Sequence, residues 1–296
     1  MDLSVYEAVY VERLPLQELA IDHPNIILDI ADCNSSIAHQ FRRHARGMRW
    51  LLSFLDTLLL PKYEMQLCNR ATAVICTAER EATAFRAIGV TQPIIVMAHS
   101  SNAAEFRKRE IKDANPKILS FHGKLTYIAN RLAVGQLAQS IVPRLDSTRY
   151  SLLIAGAGSE TLRREYSTLT FTGYIDDIVS HLRSADLSIF PVELSAGLAN
   201  KVFESLAAGA PVIVTRQLAA GLPASDSLLE NGIFVRDIAD FVPTIEEYFR
   251  LPASRRQSIS DSCVDYVERM QNPDQRTQVL KRLVMAKTQQ SEKRTS

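Results

Sequence analysis

Short apolar runs alternating with helical patterns fill most of the chain. NIILDIAD (25–32), ATAVICTA (71–78) and PIIVMAH (93–99) are near-continuous apolar stretches bounded by polar residues, the pattern of strands buried on both faces, and predict three parallel-type strands. Residues 36–70, between the first two, are long enough for two helices. The break is expected near Pro61, because proline lacks the N–H of a helix interior and crowds the preceding turn. REATAFRAIG (80–89) reads as a helix after the second strand. Strand, helix, strand, helix argues for an α/β sheet with right-handed crossovers.

KREIKDANPK (108–117) is charged, contains Pro116 and reads as a linker. Beyond it the alternation resumes. KILSFHG, YSLLIAGAGS, LTFTGYI, DLSIFPVE, PVIVT and GIFV (232–235) predict strands, with helices from about Asn130 to Ile141, after Asp176 or Asp177, and from Asp240 onward. GAGS (156–159) reads as a tight turn, and Asp176 and Asp177 as a helix cap rather than a carboxylate pair.

The most informative stretch is PVELSAGLANKVFESLAAGAPVIVT (191–215). Asn200 to Ala208 fits a helix closed by Gly209, followed by a buried strand. Asn200, Lys201 and Glu204 share its polar face, while Val202, Phe203, Leu206 and Ala207 cover the other. Free N–H groups of the first turn and the helix dipole favour an anion such as a diphosphate, and Glu204 can accept hydrogen bonds from paired ribose hydroxyls. The same pattern also suits a capped helix with a Lys201–Glu204 surface pair.

Composition narrows the choice. With 296 residues, 46% hydrophobic, the chain can bury one or two sizeable cores. Lys plus Arg (34) nearly cancels Asp plus Glu (33), so no global field recruits nucleic acid. Cys33, Cys68, Cys76 and Cys263 lack metal-ligand spacing and read as reduced, structural residues of a cytoplasmic protein. The chain opens without a secretory leader pattern, and LLSFLDTLLL is too short to span a bilayer and carries Asp56. The tail TQQSEKRTS is expected to be disordered. Arg42, Arg43, Arg46 and Arg49 beside Trp50 mark either a peripheral contact with the inner face of a membrane or an ordinary helix with solvated arginines.

GLANKVFESLAAGAPVIVT resembles the donor-site signature of retaining glycosyltransferases of family 4, most of all the bacterial sugar transferases of exopolysaccharide systems. FHGKLTYIANR (121–131) is similar to that family's run after its first donor-domain strand, with Ala129 in place of proline. The resemblance implies donor-binding roles for Gly123, Lys124, Gly197, Leu198, Asn200, Lys201 and Glu204. The glutamate found in many members eight residues before Glu204 is Ala196 here, which makes Glu193 the candidate sugar contact. On the acceptor side Asp29, Asp32, Tyr63, Glu64 and VMAHSSNAAEF (96–106) stand at matching places, with His99 and Ser100 instead of Asn-Gly. The family's first strands, glycine-rich loop and catalytic histidine have no counterpart, so no catalytic residue is assigned.

What the resemblance implies is an α/β, GT-B-like chain of two Rossmann-type parallel-sheet domains, the N-terminal one incomplete. The expected division is an acceptor-side domain (1–107), a linker (108–117), a nucleotide-sugar domain (118–270) and a C-terminal helix and tail (271–296). The implied function is retaining transfer of a sugar from a nucleotide-diphosphate donor to a glycan or lipid-linked acceptor, with neither metal nor cofactor. A non-catalytic nucleotide-sugar-binding subunit, a truncated remnant and a GT-B-fold epimerase are the other readings.

Overall fold

The computed structural model describes residues 3, 5–12, 23–42, 46–97, 111, 115–194, 200–223, 228–271, 274 and 276–285. They form two compact units, one from the described residues up to Met97 together with those after Gln271, the other from Ile111 to Gln271. The predicted linker (108–117), His99 and Ser100, and the polar tail lie wholly or mostly outside the described residues.

The first unit carries a parallel sheet of β1 (Val9–Glu12), β2 (Ile26–Asp29), β3 (Ala73–Cys76) and β4 (Ile94–Val96), in that order. This is one strand more than the pattern predicts. VYVE pairs with β2 on one side only and buries just Val11 fully, so it has too little apolar content to stand out. Side-chain alternation along β2 and β3 builds two cores. Ile26, Leu28, Val74 and Cys76 pack with Cys33, Cys68, Ala82 and Phe85 on one face. Ile27, Ile75 and Met97 pack on the other against Val279, Leu280, Leu283 and Val284 of the helical run 276–285. Arg276 ties that run down by donating to Asp29 at 3.0 Å, and the Tyr10 hydroxyl donates to the same carboxylate.

The β2–β3 connection corrects the expected break. Its helices are α1 (Asn34–Arg42) and α2 (Met48–Arg70), and Pro61 lies inside α2. The chain turns instead at Gly47, the N-cap of α2, with φ 58°, a conformation glycine adopts without the Cβ penalty. α1 has no acidic residue in its first turn. Glu64 of α2, fully buried, takes that place and accepts from the Asn34 and Ser35 N–H groups at 2.7 and 3.0 Å. Glu81 of α3 (Glu79–Ala87) accepts from the Cys33 N–H at 2.8 Å. All four cysteines are free and buried. Among the described residues no helix is long and apolar enough to cross a membrane.

The second unit holds six parallel strands in the order β10-β9-β8-β5-β6-β7: β5 (Lys117–His122), β6 (Tyr150–Ala155), β7 (Thr170–Gly173), β8 (Leu187–Phe190), β9 (Val212–Val214) and β10 (Ile233–Val235). The chain runs outward from β5 through β6 and β7, then returns to β5's other side as β8. The order therefore reverses between β5 and β8, and beyond the carboxyl ends of these strands lies the crevice where open α/β sheets bind ligands. Intervening helices are α4 (Ile128–Gln136), α5 (Ser159–Glu165), α6 (Ile178–Ser184), α7 (Asn200–Ala207), α8 (Arg216–Ala219), α9 (Phe241–Arg250) and α10 (Ala253–Met270). Asp177 caps α6, accepting the Ser180 N–H at 2.9 Å. The GAGS turn is a packing device: a Cβ on Gly156 (φ 147°) would stand 1.9 Å from the Gly123 carbonyl oxygen.

Candidate functional site

The site starts at the carboxyl end of β5. After the buried run of β5 the chain leaves the sheet at Gly123, whose φ of 148° favours glycine. A Cβ there would meet the Asn130 amide nitrogen at 2.8 Å and Lys201 Nζ at 3.2 Å. Asn130, in the first turn of α4, donates to the Lys124 carbonyl at 2.8 Å and accepts from the Lys201 ammonium. That ammonium lies 5.3 Å from the Phe121 ring centroid and 5.8 Å from that of Phe190, the last residue of β8. Burial draws the Lys201 pKa down to about 8, while the charge of Glu204 pulls it up. At neutral pH it is a cation set among a carboxamide and two aromatic faces.

One turn along α7, Glu204 Oε2 lies 3.0 Å from His122 Nε2. His122 is buried, and burial holds its pKa below the usual histidine value against the pull of Glu204. The ring is therefore neutral at pH 7, with its proton on Nε2 donated to the carboxylate. Its Nδ1 is buried with no hydrogen-bond partner among the described residues. Burial raises the Glu204 pKa, but the His122 hydrogen bond and the positive charge of Lys201 outweigh it and hold the carboxyl low. With its side chain 36% exposed, Glu204 keeps Oε1 for another donor.

Of the residues singled out in the sequence, Gly123, Lys201 and Glu204 come together here. Asn200 is exposed at the start of α7, and Lys124 enters through its carbonyl while the residue itself is exposed. Glu193 accepts from Gln136 at 3.3 Å. Gly197, Leu198 and Ala196 lie outside the described residues. Lys201 and Glu204 do not form the surface pair that i,i+3 spacing allows, for each has a partner from the β5–α4 segment. Those partners, His122 and Asn130, are what reading the sequence misses. Asn130 was visible as a helix start and as the residue after Ala129 in the resembled run, without a role, and His122 as the polar residue before a glycine.

Comparison with known proteins fits this geometry. Residues 116–250 match the family model described as glycosyl transferases group 1. They form a glycosyltransferase domain. No curated protein sequence matches the chain. Among solved structures, the chain is similar to sucrose-phosphate synthase from Thermosynechococcus elongatus, with 15% identity and a TM-score of 0.72 over 95% of this chain and 74% of that one. Against HepE from Anabaena, solved with UDP and glucose, the values are 14% and 0.67 over 98% and 78%. A glycosyltransferase from Rickettsia africae gives 13% and 0.60 over 94% and 98%. The fold is therefore GT-B. In the glycosyltransferase domain, His122, Gly123, Asn130, Lys201 and Glu204 all fall inside the matched segment.

Proposed function

We propose that this chain transfers a sugar from a nucleoside-diphosphate sugar to a glycan or lipid-linked saccharide, with retention at the anomeric carbon and without a metal ion. The observation that carries the reading is that α7 brings a cation, Lys201 beside Gly123, and a carboxylate, Glu204 bonded to His122, to the point where the sheet order reverses. Gly123, lacking a Cβ, lets its backbone lie against the Lys201 ammonium and the Asn130 amide. Breaking the bond from the anomeric carbon to the diphosphate leaves an electron pair on the leaving oxygen, and Lys201 and the first-turn N–H groups of α7 stabilise that charge. Glu204 Oε1 accepts from the ribose hydroxyls. A solved GT-B neighbour, HepE, has been seen with UDP-glucose, which supports a nucleotide-sugar donor here.

The test is incubation with UDP- and GDP-sugars, with and without a glycan primer and EDTA, followed by NMR of the products. Acceptor-dependent release of nucleotide, insensitive to EDTA and giving the donor's anomer, is the expected result. Nucleotide binding with neither transfer nor donor hydrolysis overturns it in favour of a binding subunit. Conversion of the donor sugar with no primer present overturns it in favour of an epimerase.

A further inference from the structure

The sequence places its basic cluster and Trp50 on one candidate membrane contact, but α2 turns Trp50 away from a larger apolar face. Met48, Leu51, Leu52, Leu55, Leu58 and Leu59 follow one another at steps of three and one, which puts them on a single helix face. Each is between 43 and 71% exposed. The face runs roughly 17 Å along the helix at 1.5 Å per residue. It is no loose end, because the opposite side of α2 is fixed in the first unit through Glu64, Leu67 and Cys68, all buried. Trp50 sits roughly 200° around the helix from Met48, stacked on Phe54, with the Arg42 guanidinium over the same ring.

An apolar face this continuous marks an interaction surface. Its charge surroundings identify the occupant. From Cys33 to Leu55 the chain has no acidic residue and four arginines, Arg42, Arg43, Arg46 and Arg49, in a protein whose net charge is only +1. Arg46 is exposed immediately before the Gly47 turn that opens α2. A second copy of the same helix would offer the arginines only Asp56 as an acidic partner along the leucine stretch. Protein interfaces also favour Trp, Tyr and Arg over Leu at their energetic centre, and this face has no aromatic residue among its six. Apolar residues along one side of a helix with a cationic end are the composition of a helix lying in the headgroup region of an anionic bilayer.

We infer that α2 is an interfacial helix that seats the first unit on anionic lipid through its leucine face, with the arginines before and within its first turn drawing it to the surface. This is a property of the first unit and does not rest on the donor-site reading.

The experiment is co-sedimentation of the full chain with phosphatidylcholine vesicles, with and without phosphatidylglycerol, and light scattering of the protein alone. Expected are binding to the anionic vesicles and a loss of at least about tenfold in L52E/L59E. R42E/R46E should lose binding at low salt, and added salt should weaken the wild type. Because these positions are surface residues, unchanged thermal melting and UDP affinity in L52E/L59E show that the fold and donor site are intact. Wild type that stays in the supernatant, or L52E/L59E that binds as wild type does, overturns the inference. So does a wild-type dimer that L52E/L59E makes monomeric without any vesicle binding, which would assign the face to a second copy of the chain.

Discussion

His122 donates its Nε2–H to Glu204 Oε2 across 3.0 Å, joining the end of β5 to the second turn of α7. The bond turns one carboxylate oxygen inward and leaves the other for a ligand. Glu204→Ala should therefore weaken UDP or GDP binding by about 1.5–3 kcal/mol, or ten- to hundredfold. His122→Phe, which keeps a ring but removes the donor, should lose part of that affinity. Neither change should matter for a 2′,3′-dideoxy nucleotide, which lacks the hydroxyls Glu204 accepts from. Calorimetric titration decides it, and equal affinity of Glu204→Ala and wild type for UDP would remove the ribose role.

Lys201 gives the site a pH signature. Its pKa of about 8 lies below the ordinary 10.5. Between these values the unfolded chain binds a proton that the folded chain releases, so this group makes stability rise with pH across that window and adds no slope below about 8. Diphosphate binding runs the other way, since it needs the ammonium. Affinity for UDP should fall by about tenfold per unit above pH 8. Titrations over that range should show the slope in wild type and a flat, weaker profile in Lys201→Met.

The close approach of two glycines supports the same site. Gly156→Ala would drive a methyl group to 1.9 Å from the Gly123 carbonyl oxygen, a backbone atom that can give way only at high cost. The expected cost is on the order of 3 kcal/mol or more, read as a lower urea midpoint. Because Gly123 must shift, nucleotide affinity of the folded fraction should drop as well.

In the first unit the buried carboxylate of Glu64 stands in for an N-cap. Glu64→Ala leaves the Asn34 and Ser35 N–H groups without their acceptor, at a cost of about 2–4 kcal/mol. Glu64→Gln, which keeps one carbonyl oxygen, should cost less. Urea unfolding of the three proteins orders them, and a Glu64→Ala midpoint equal to wild type would show that water replaces the carboxylate there.

These cases also show what can be read along the chain and what cannot. The parallel strands were legible because β2, β3, β8 and β9 are short, mostly apolar runs buried on both faces, a pattern that needs no knowledge of neighbours. β1 was not, because an edge strand with one buried residue has no such pattern. Pro61 misled, since an interior proline usually marks a break, whereas the packing of α2 tolerates it and Gly47 supplies the turn. In the candidate site, Lys201 and Glu204 stood out because helical spacing joins residues a few positions apart. Their partners His122 and Asn130 lie 82 and 71 positions away, and only the pairing of β5 with β8 brings them in.

The helical run 276–285 covers one face of a sheet whose described strands lie between Val9 and Val96. During synthesis that face stays open until residues 276–285 have been made, whereas β5 to β10 have all been made by Val235. The first unit therefore depends on residues made after every strand of the second. Removing the residues after Gln271 should injure the N-terminal half of the protein and leave the C-terminal half, to which they are adjacent in sequence, largely intact.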